Sequence, residues 1–381
     1  MTEQEDLFGL MTAAGSASGV AGSAASAAVD TAVDAAPNAA PNATRAKTPR
    51  RARRDPQDDV LCLPSANPPE LFTQASEALP AGVHLGTSSW SFPGWRDLLY
   101  RDTYTTSALA RTGLAAYAAS PLLRCVGIDR SFYAPLTVDE YAHYAAQVAD
   151  DFRFIVKAPA RVCDGAIRGT GGAPARINPD FLDPAAAIDD FIQPCVEGLA
   201  GKIGALVFQL SPLPDALRAD LPALIDRLAR FFDALPPAPH RYALEIRDPA
   251  LLTPRLIRML REHGVRYCVG IHSRMPDAAR QATALEHLDD GHPGPLIVRW
   301  SLHAGLRYEG ARTRYEPFDA IVDPDLPTRT ALAALIARAV RAQQPAYIVV
   351  NNKAEGSSPV SCAWLALAVA QALHGDPAHA R

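Results

Sequence analysis

The chain has 381 residues, of which 48% are hydrophobic and 20% charged, enough apolar material to bury a sizeable core. With 37 basic against 41 acidic side chains, its formal charge of −4 excludes a uniformly basic nucleic-acid coat. No apolar run reaches the roughly 20 residues of a membrane-spanning helix, so no membrane partner is expected.

In chain order, Met1 to Leu10 carries Glu3, Glu5 and Asp6 and no basic residue, the reverse of a secretory n-region, which makes the cytoplasm the expected location. Gln4 is followed by two acids and then by Leu7 and Phe8, an isolated apolar pair. This spacing resembles the short peptide by which bacterial repair and replication proteins dock on the DNA sliding clamp. Leu7 and Phe8 would fill an apolar pocket and Gln4 would bond its rim. A chance apolar pair beside the initiator is the competing reading. Residues 12–44 are almost entirely small or polar and hold too little apolar surface to offset ordering entropy, so residues 1–76 read as a disordered tail. Within it, Arg45, Lys47, Arg50, Arg51, Arg53 and Arg54 form a basic run, a solvated linker or an electrostatic anchor for nucleic acid. The first 60 residues hold 6 basic and 8 acidic side chains, leaving a near-neutral body with 31 and 33.

From Val83 the pattern alternates between short β-rich runs and helical ones. Strands are predicted at Val83–Ser88, Leu123–Ile128, Arg153–Lys157, Ile203–Leu210, Tyr242–Ile246, Arg266–Ile271, Leu296–Trp300 and Tyr347–Asn351. Helical spacing predicts Leu109–Ala118, Val138–Val148, Ala185–Leu199, Leu217–Phe232, Thr253–His263, Leu332–Ala342 and Ser361–Leu373. Thr137 and Glu140 are placed as a capping box before Val138. The interval Met275 to Gly294 reads as a loop with a short helix. Eight βα-type repeats in about 300 residues predict a single (β/α)8 TIM-like barrel over residues 77–376. An open doubly wound sheet is the alternative, but no GxGxxG follows the first strand. The six cysteines, Cys62, Cys125, Cys163, Cys195, Cys268 and Cys362, stand singly without a CxxC pair, which predicts buried thiols rather than disulfides or a zinc site.

Several motifs are more specific than the periodicity. Gly86-Thr87-Ser88-Ser89-Trp90-Ser91-Phe92-Pro93-Gly94-Trp95 sets hydroxyl residues and two tryptophans at the end of the first strand. It is followed by Gly127-Ile128-Asp129-Arg130-Ser131-Phe132-Tyr133, Phe154-Ile155-Val156-Lys157, Phe208-Gln209-Leu210-Ser211-Pro212, Leu244-Glu245-Ile246-Arg247 and Asn351-Asn352-Lys353-Ala354-Glu355-Gly356. In order and spacing these resemble the YecE-like family, the domain of unknown function 72, over about Val83 to Leu373. The resemblance implies an eight-stranded barrel and no established activity. The chain departs from the family pattern where Gly127 replaces an acid, Asp129 an amide, Asp248 a histidine and Lys353 an acid.

In a parallel barrel the C-terminal strand ends form the functional face. That face would gather Trp90, Asp129, Tyr133, Lys157, Gln209, Glu245, Arg247, His272, Arg299, His303, Asn351 and Asn352. Lys157 and Arg247 suit an anion, Glu245 or Asp129 a general acid or base, and Trp90 and Tyr133 a stacking platform. Arg299, His303, Asn351 and Asn352 are further ligand candidates. Against this stands a structural ion network for Lys157, Glu245 and Arg247, and backbone ties for the two asparagines. Two histidines near strand ends are too few for a His-rich zinc site, so no metal and no cofactor are expected. Two functions follow. One is a metal-independent hydrolase or lyase acting on a phosphorylated sugar or nucleic-acid backbone. The other is a non-catalytic nucleic-acid-associated module, recruited to the sliding clamp through residues 4–8 and recognising a nucleic-acid end.

Overall fold

The computed structural model describes residues 62–167, 176–237, 242–291, 293–303 and 305–375. Eight parallel strands close into a barrel: β1 (Val83–Thr87), β2 (Leu123–Ile128), β3 (Arg153–Lys157), β4 (Ile203–Gln209), β5 (Tyr242–Glu245), β6 (Arg266–Ile271), β7 (Leu296–Trp300) and β8 (Ala346–Val350). β1 is hydrogen-bonded in register with β8, Val83 opposite Ala346 through Thr87 opposite Val350, which closes the ring. All eight strands match the predicted ones to within a residue at each end. A two-residue antiparallel ribbon, Ala166–Ile167 with Arg176–Ile177, follows β3 and was not predicted.

Because side chains alternate across a strand, each one splits its residues between helix-facing and interior positions. The interior parity gathers Cys125, Ile155, Val207, Ala243, Cys268 and Ile297 into a small buried cluster. The opposite parity, including Val126, Phe154, Phe208, Leu244 and Ile348, packs into the large core shared with the helices. The helix Leu221–Ala234 shows how that core is specified. Asp220 caps it by accepting from Ala223 N at 2.9 Å, and Leu224, Ile225, Leu228, Phe231 and Phe232 fall on one buried stripe. Phe208 of β4 meets Phe231 edge-on at 5.3 Å between centroids.

The differences from the sequence expectations have local causes. The predicted helix 109–118 is two helices, Thr106–Thr112 and Leu114–Ala118, broken at Gly113, whose helix propensity is poor. The predicted helix 185–199 contains a wide turn at Ile188–Ile192, just before Pro194, which has no backbone N–H for the α-helical ladder. The interval read as a loop with a short helix holds the longer, 12-residue helix Ala278–Asp289, capped by Asp277. Its signal was masked by a buried polar residue in the core-facing stripe: Gln281 accepts from Tyr267 Oη at 2.8 Å and donates to Gly270 O at 2.9 Å. The tail boundary at residue 76 is also corrected. Leu63 is buried, and the helix Glu70–Ala78 packs Phe72 and Ala75 against the last helix, Ser358–His374. Residues 1–61 lie outside the described residues. All six cysteines are free; five are buried and Cys62 is exposed.

The predicted capping box at Thr137 and Glu140 is present, with Glu140 N donating to Thr137 Oγ1 at 3.2 Å and Thr137 N donating to Glu140 Oε2 at 2.9 Å. Thr137→Ala is expected to cost about 1 kcal/mol, roughly 2 °C in Tm. A melting temperature identical to wild type would show that the cap contributes nothing.

Candidate functional site

Extending the interior parity of each strand past its C-terminal end predicts which side chains point into the barrel mouth: Ser88, Asp129, Lys157, Gln209, Glu245, Arg299 and Asn351. Several of them meet. Glu245, fully buried at the end of β5, contacts Arg247 Nη2 through Oε1 at 2.6 Å and Arg299 Nη1 through Oε2 at 3.1 Å. Arg299 in β7 reaches across the barrel to Asp129 Oδ2 at 2.6 Å. Gln209 at the end of β4 accepts from Arg247 Nη2 and from Arg299 Nη1, both at 3.1 Å. Of the network expected for Lys157, Glu245 and Arg247, the Glu245–Arg247 pair is present, and Arg299, Asp129 and Gln209 join it.

Lys157 sits differently from the expectation that a carboxylate would pair with it. Its Nζ lies over the Phe132 ring, 3.5 Å from the centroid, and among the described residues it has no carboxylate within 4.0 Å. Phe132 is buried and edge-on to Tyr133, and Ser131 Oγ donates to Lys157 O at 2.6 Å. Burial and the nearby Arg299 charge lower the Lys157 ammonium from its ordinary value to about 8, opposed by Asp129 and Glu245. Glu245 is lowered as well, which for a carboxyl favours the charged form. Burial disfavours its ionised form, but Arg247, Arg299 and Lys157 outweigh burial and hold its carboxyl below the usual range. Its carboxylate is thus held as the counter-ion of Arg247 and Arg299 at neutral pH. Burial also pushes up the thiols of Cys125, Cys163, Cys195, Cys268 and Cys362, so none of these is a ready nucleophile.

The rim residues divide. Tyr133 is 47% exposed, with its ring edge-on to Phe132 at 5.4 Å between centroids. Trp90 is not a stacking platform: it is 6% exposed, donates from Nε1 to Leu109 O at 3.0 Å, and meets Tyr144 edge-on at 5.0 Å. Its indole fills the core because the chain turns inward after β1, a direction the hydroxyl-rich neighbours did not reveal. Asn352, 1% exposed, accepts on Oδ1 from Ser358 N and Oγ, tying the turn after β8 to the start of the last helix rather than facing a ligand. Asn351 faces the mouth, donating to Ser88 Oγ at 2.8 Å and accepting from Lys353 Nζ at 3.3 Å. Lys353 Nζ also lies 4.1 Å from the Tyr308 ring centroid. His303, half-buried, follows β7, and its backbone N donates to Lys353 O at 2.9 Å. Ser301, whose Oγ accepts from Arg247 Nη2 at 3.5 Å, was missed as a site residue, as were Lys353 and Tyr308. Ser301 and Lys353 were detectable as positions two beyond an interior residue, whereas nothing in the sequence flagged Tyr308. Gln4, Leu7, Phe8 and the basic run at 45–54 lie outside the described residues.

A hollow of about 500 Å³ lies elsewhere, among Arg266, Glu286, Asp289, Leu296 and Arg338, at the N-terminal ends of β6 and β7. There Arg266 and Arg338 both pair with Asp289, a satisfied surface network. The cluster of Asp129, Glu245, Arg247 and Arg299 lies at the opposite, C-terminal strand ends. Among the described residues no group of three or more His, Cys, Asp or Glu side chains is arranged to hold a metal ion, and no helix is long and apolar enough to cross a membrane.

A closed parallel barrel with a layer of buried charge at its C-terminal strand ends defines the class, a TIM-type barrel protein with a candidate ligand site at the mouth. The family described as Protein of unknown function DUF72 matches residues 84–380, and the chain belongs to it. Solved structures of DUF72 family proteins are similar to it. One, from Thermotoga maritima MSB8, is 18% identical with a TM-score of 0.50, covering 74% of this chain and 97% of the other. Another, from Enterococcus faecalis V583, is 16% identical with a TM-score of 0.47, covering 77% and 95%. At such identities the likeness concerns the fold alone. No curated protein matches the sequence.

Proposed function

We propose that the barrel mouth binds the anionic group of a small molecule, a phosphate or carboxylate, and that the protein is a lyase or hydrolase whose proton carrier is Lys157. The observation that carries this reading is the charge balance of the buried layer. Among the described residues of this layer, three cations, Lys157, Arg247 and Arg299, stand with two carboxylates, Asp129 and Glu245, and the Lys157 amine lies on the Phe132 ring without a carboxylate within 4.0 Å. Arg247 Nε is also buried without a protein acceptor. An unmatched buried cation and an unmet donor are both relieved by an incoming anion. Lys157, titrating near 8, exchanges protons near neutrality. Asp129 is the mouth's second carboxylate, held by Arg299. Tyr133 offers an exposed ring beside the site for a sugar or base. The nucleic-acid and clamp reading rests on Gln4, Leu7 and Phe8, outside the described residues, and the mouth geometry favours the small-molecule anion.

Sulfate is the suitable probe, because its charge is constant across the relevant pH range. Saturating sulfate at about 100 times its Kd should stabilise the protein by about 2.7 kcal/mol at pH 7. Its affinity should weaken as pH rises through about 8, where Lys157 loses its proton while Arg247 and Arg299 stay charged. Lys157→Met should bind sulfate at least tenfold more weakly while remaining folded, since it removes a net buried charge. Absence of any sulfate or phosphate binding at pH 7, or unchanged binding by Lys157→Met, would overturn the reading.

A further inference from the structure

Four lysines stand among the 37 basic residues of the sequence: Lys47, Lys157, Lys202 and Lys353. The other 33 are arginines, so lysine is the rare cation of this chain. Lys202 has a structural role, donating to Ala145 O at 2.8 Å and Val148 O at 2.7 Å. Lys157 has none of that kind. It closes β3 inside the barrel, 5% exposed, with its amine on the face of Phe132 rather than against a carboxylate. An arginine there would keep the charge but could never lose its proton, whereas a desolvated lysine beside other cations is the usual setting of a nucleophilic amine.

We infer that Lys157 is an imine-forming nucleophile toward small aldehydes or ketones that carry a carboxylate or phosphate, an inference that rests on the anion-binding reading above. Arg247 and Arg299 hold the anion and the carbonyl carbon meets Nζ. The neutral amine's lone pair forms the C–N bond as the carbonyl π pair moves to oxygen. A proton passes from nitrogen to that oxygen, giving a carbinolamine. A second proton, taken from solvent, lets the hydroxyl leave as water, and a protonated imine remains. That cation draws electrons from the neighbouring carbon, so a C–H or C–C bond there can break, the lyase side of the proposed chemistry. The charged groups facing Nζ set its reactivity: Asp129 and Glu245 favour the ammonium, and Arg299 and Arg247 favour the amine, with Cys163 also within electrostatic range. With its pKa lowered to about 8, Lys157 offers far more free amine at pH 7.5 than a lysine at its ordinary value.

The test treats the full chain at pH 7.5 with pyruvate, glyoxylate or glycolaldehyde phosphate in the presence of borohydride. Hydride reduces the imine to a stable secondary amine, which peptide mass spectrometry locates among the four lysines. At least tenfold more adduct at Lys157 than at Lys202 or Lys353 is expected with one of the three probes, suppressed by sulfate. Lys157→Arg should retain sulfate binding and lose the adduct, with near-ultraviolet circular dichroism confirming that it folds. If wild type binds sulfate but none of the probes labels Lys157 above the other lysines, the inference fails and the anion-binding reading stands. Labelling of Lys157 without sulfate binding would keep the nucleophile and remove that reading; neither binding nor labelling removes both.

Discussion

Glu245→Gln is expected to lower stability by about 3–5 kcal/mol, roughly 6–10 °C in Tm, although glutamine has nearly the same shape. The reason is charge. Glu245 is fully buried and lies between Arg247 at 2.6 Å and Arg299 at 3.1 Å, and among the described residues Asp129 is the other carboxylate in the cluster. Neutralising it leaves Lys157, Arg247 and Arg299 facing one negative charge instead of two. Removing one member of a buried pair costs far more than the pair contributes, because the remaining charge is stranded away from water. The same logic makes the double variant Glu245→Gln, Arg247→Met more stable than Glu245→Gln alone, since one stranded cation goes with it. Sulfate should raise the Tm of Glu245→Gln by more than that of wild type. The pH dependence has a definite sign. The folded carboxyl titrates below the unfolded one, so its stabilisation is complete above the unfolded pKa of about 4.3 and is lost as pH falls through the lower folded value. Thermal melts of the two variants check all of this; a Glu245→Gln melt within a degree of wild type would remove the ionic network from the account of the fold.

Gly86→Ala is expected to prevent barrel closure, at a cost of about 3 kcal/mol or more, at or beyond the upper end of ordinary overpacking. A Cβ at Gly86 would lie 1.8 Å from Cys125 O and 2.5 Å from Cys125 C, both backbone atoms of the neighbouring strand. Neither can move aside. Cys125 O accepts from Tyr117 Oη at 2.9 Å, and Thr87 N donates to the same hydroxyl at 2.9 Å, so the contact is clamped from two sides. The pairing of β1 with β2 also slips between Leu85 and Gly86, and this irregularity brings the backbones together. The glycine that opens the Gly-Thr-Ser motif is therefore required by packing, independently of any ligand. Soluble yield and near-ultraviolet circular dichroism of Gly86→Ala decide the point, and a native-like spectrum with an unchanged Tm would contradict it.

How much of this was legible in the sequence depends on the range of the interaction involved. The strands were legible because alternation and β-branched composition are local, and the capping box because its partners are three residues apart. Helix breaks at Gly113 and before Pro194 were written in residue types but overridden by the periodicity on either side. The full length of the helix at Ala278–Asp289 was hidden because Gln281 spends its polar groups on Gly270 and Tyr267, contacts that periodicity does not encode. The helix Glu70–Ala78 was lost in a tail judged by composition, since its apolar face is short and is buried by a helix nearly 300 residues later.

By itself the sequence determined the barrel, its family resemblance and the set of side chains whose parity carries them to the mouth, because each follows from periods of two and 3.6 and from motif order. Only the tertiary structure decided which charges meet. Asp129 and Arg299 are 170 residues apart in the chain and 2.6 Å apart in space, Lys157 faces an aromatic ring instead of a carboxylate, and Trp90 turns into the core. Electrostatic energy and burial depend on distance through folded space, and no local pattern of residues specifies that distance.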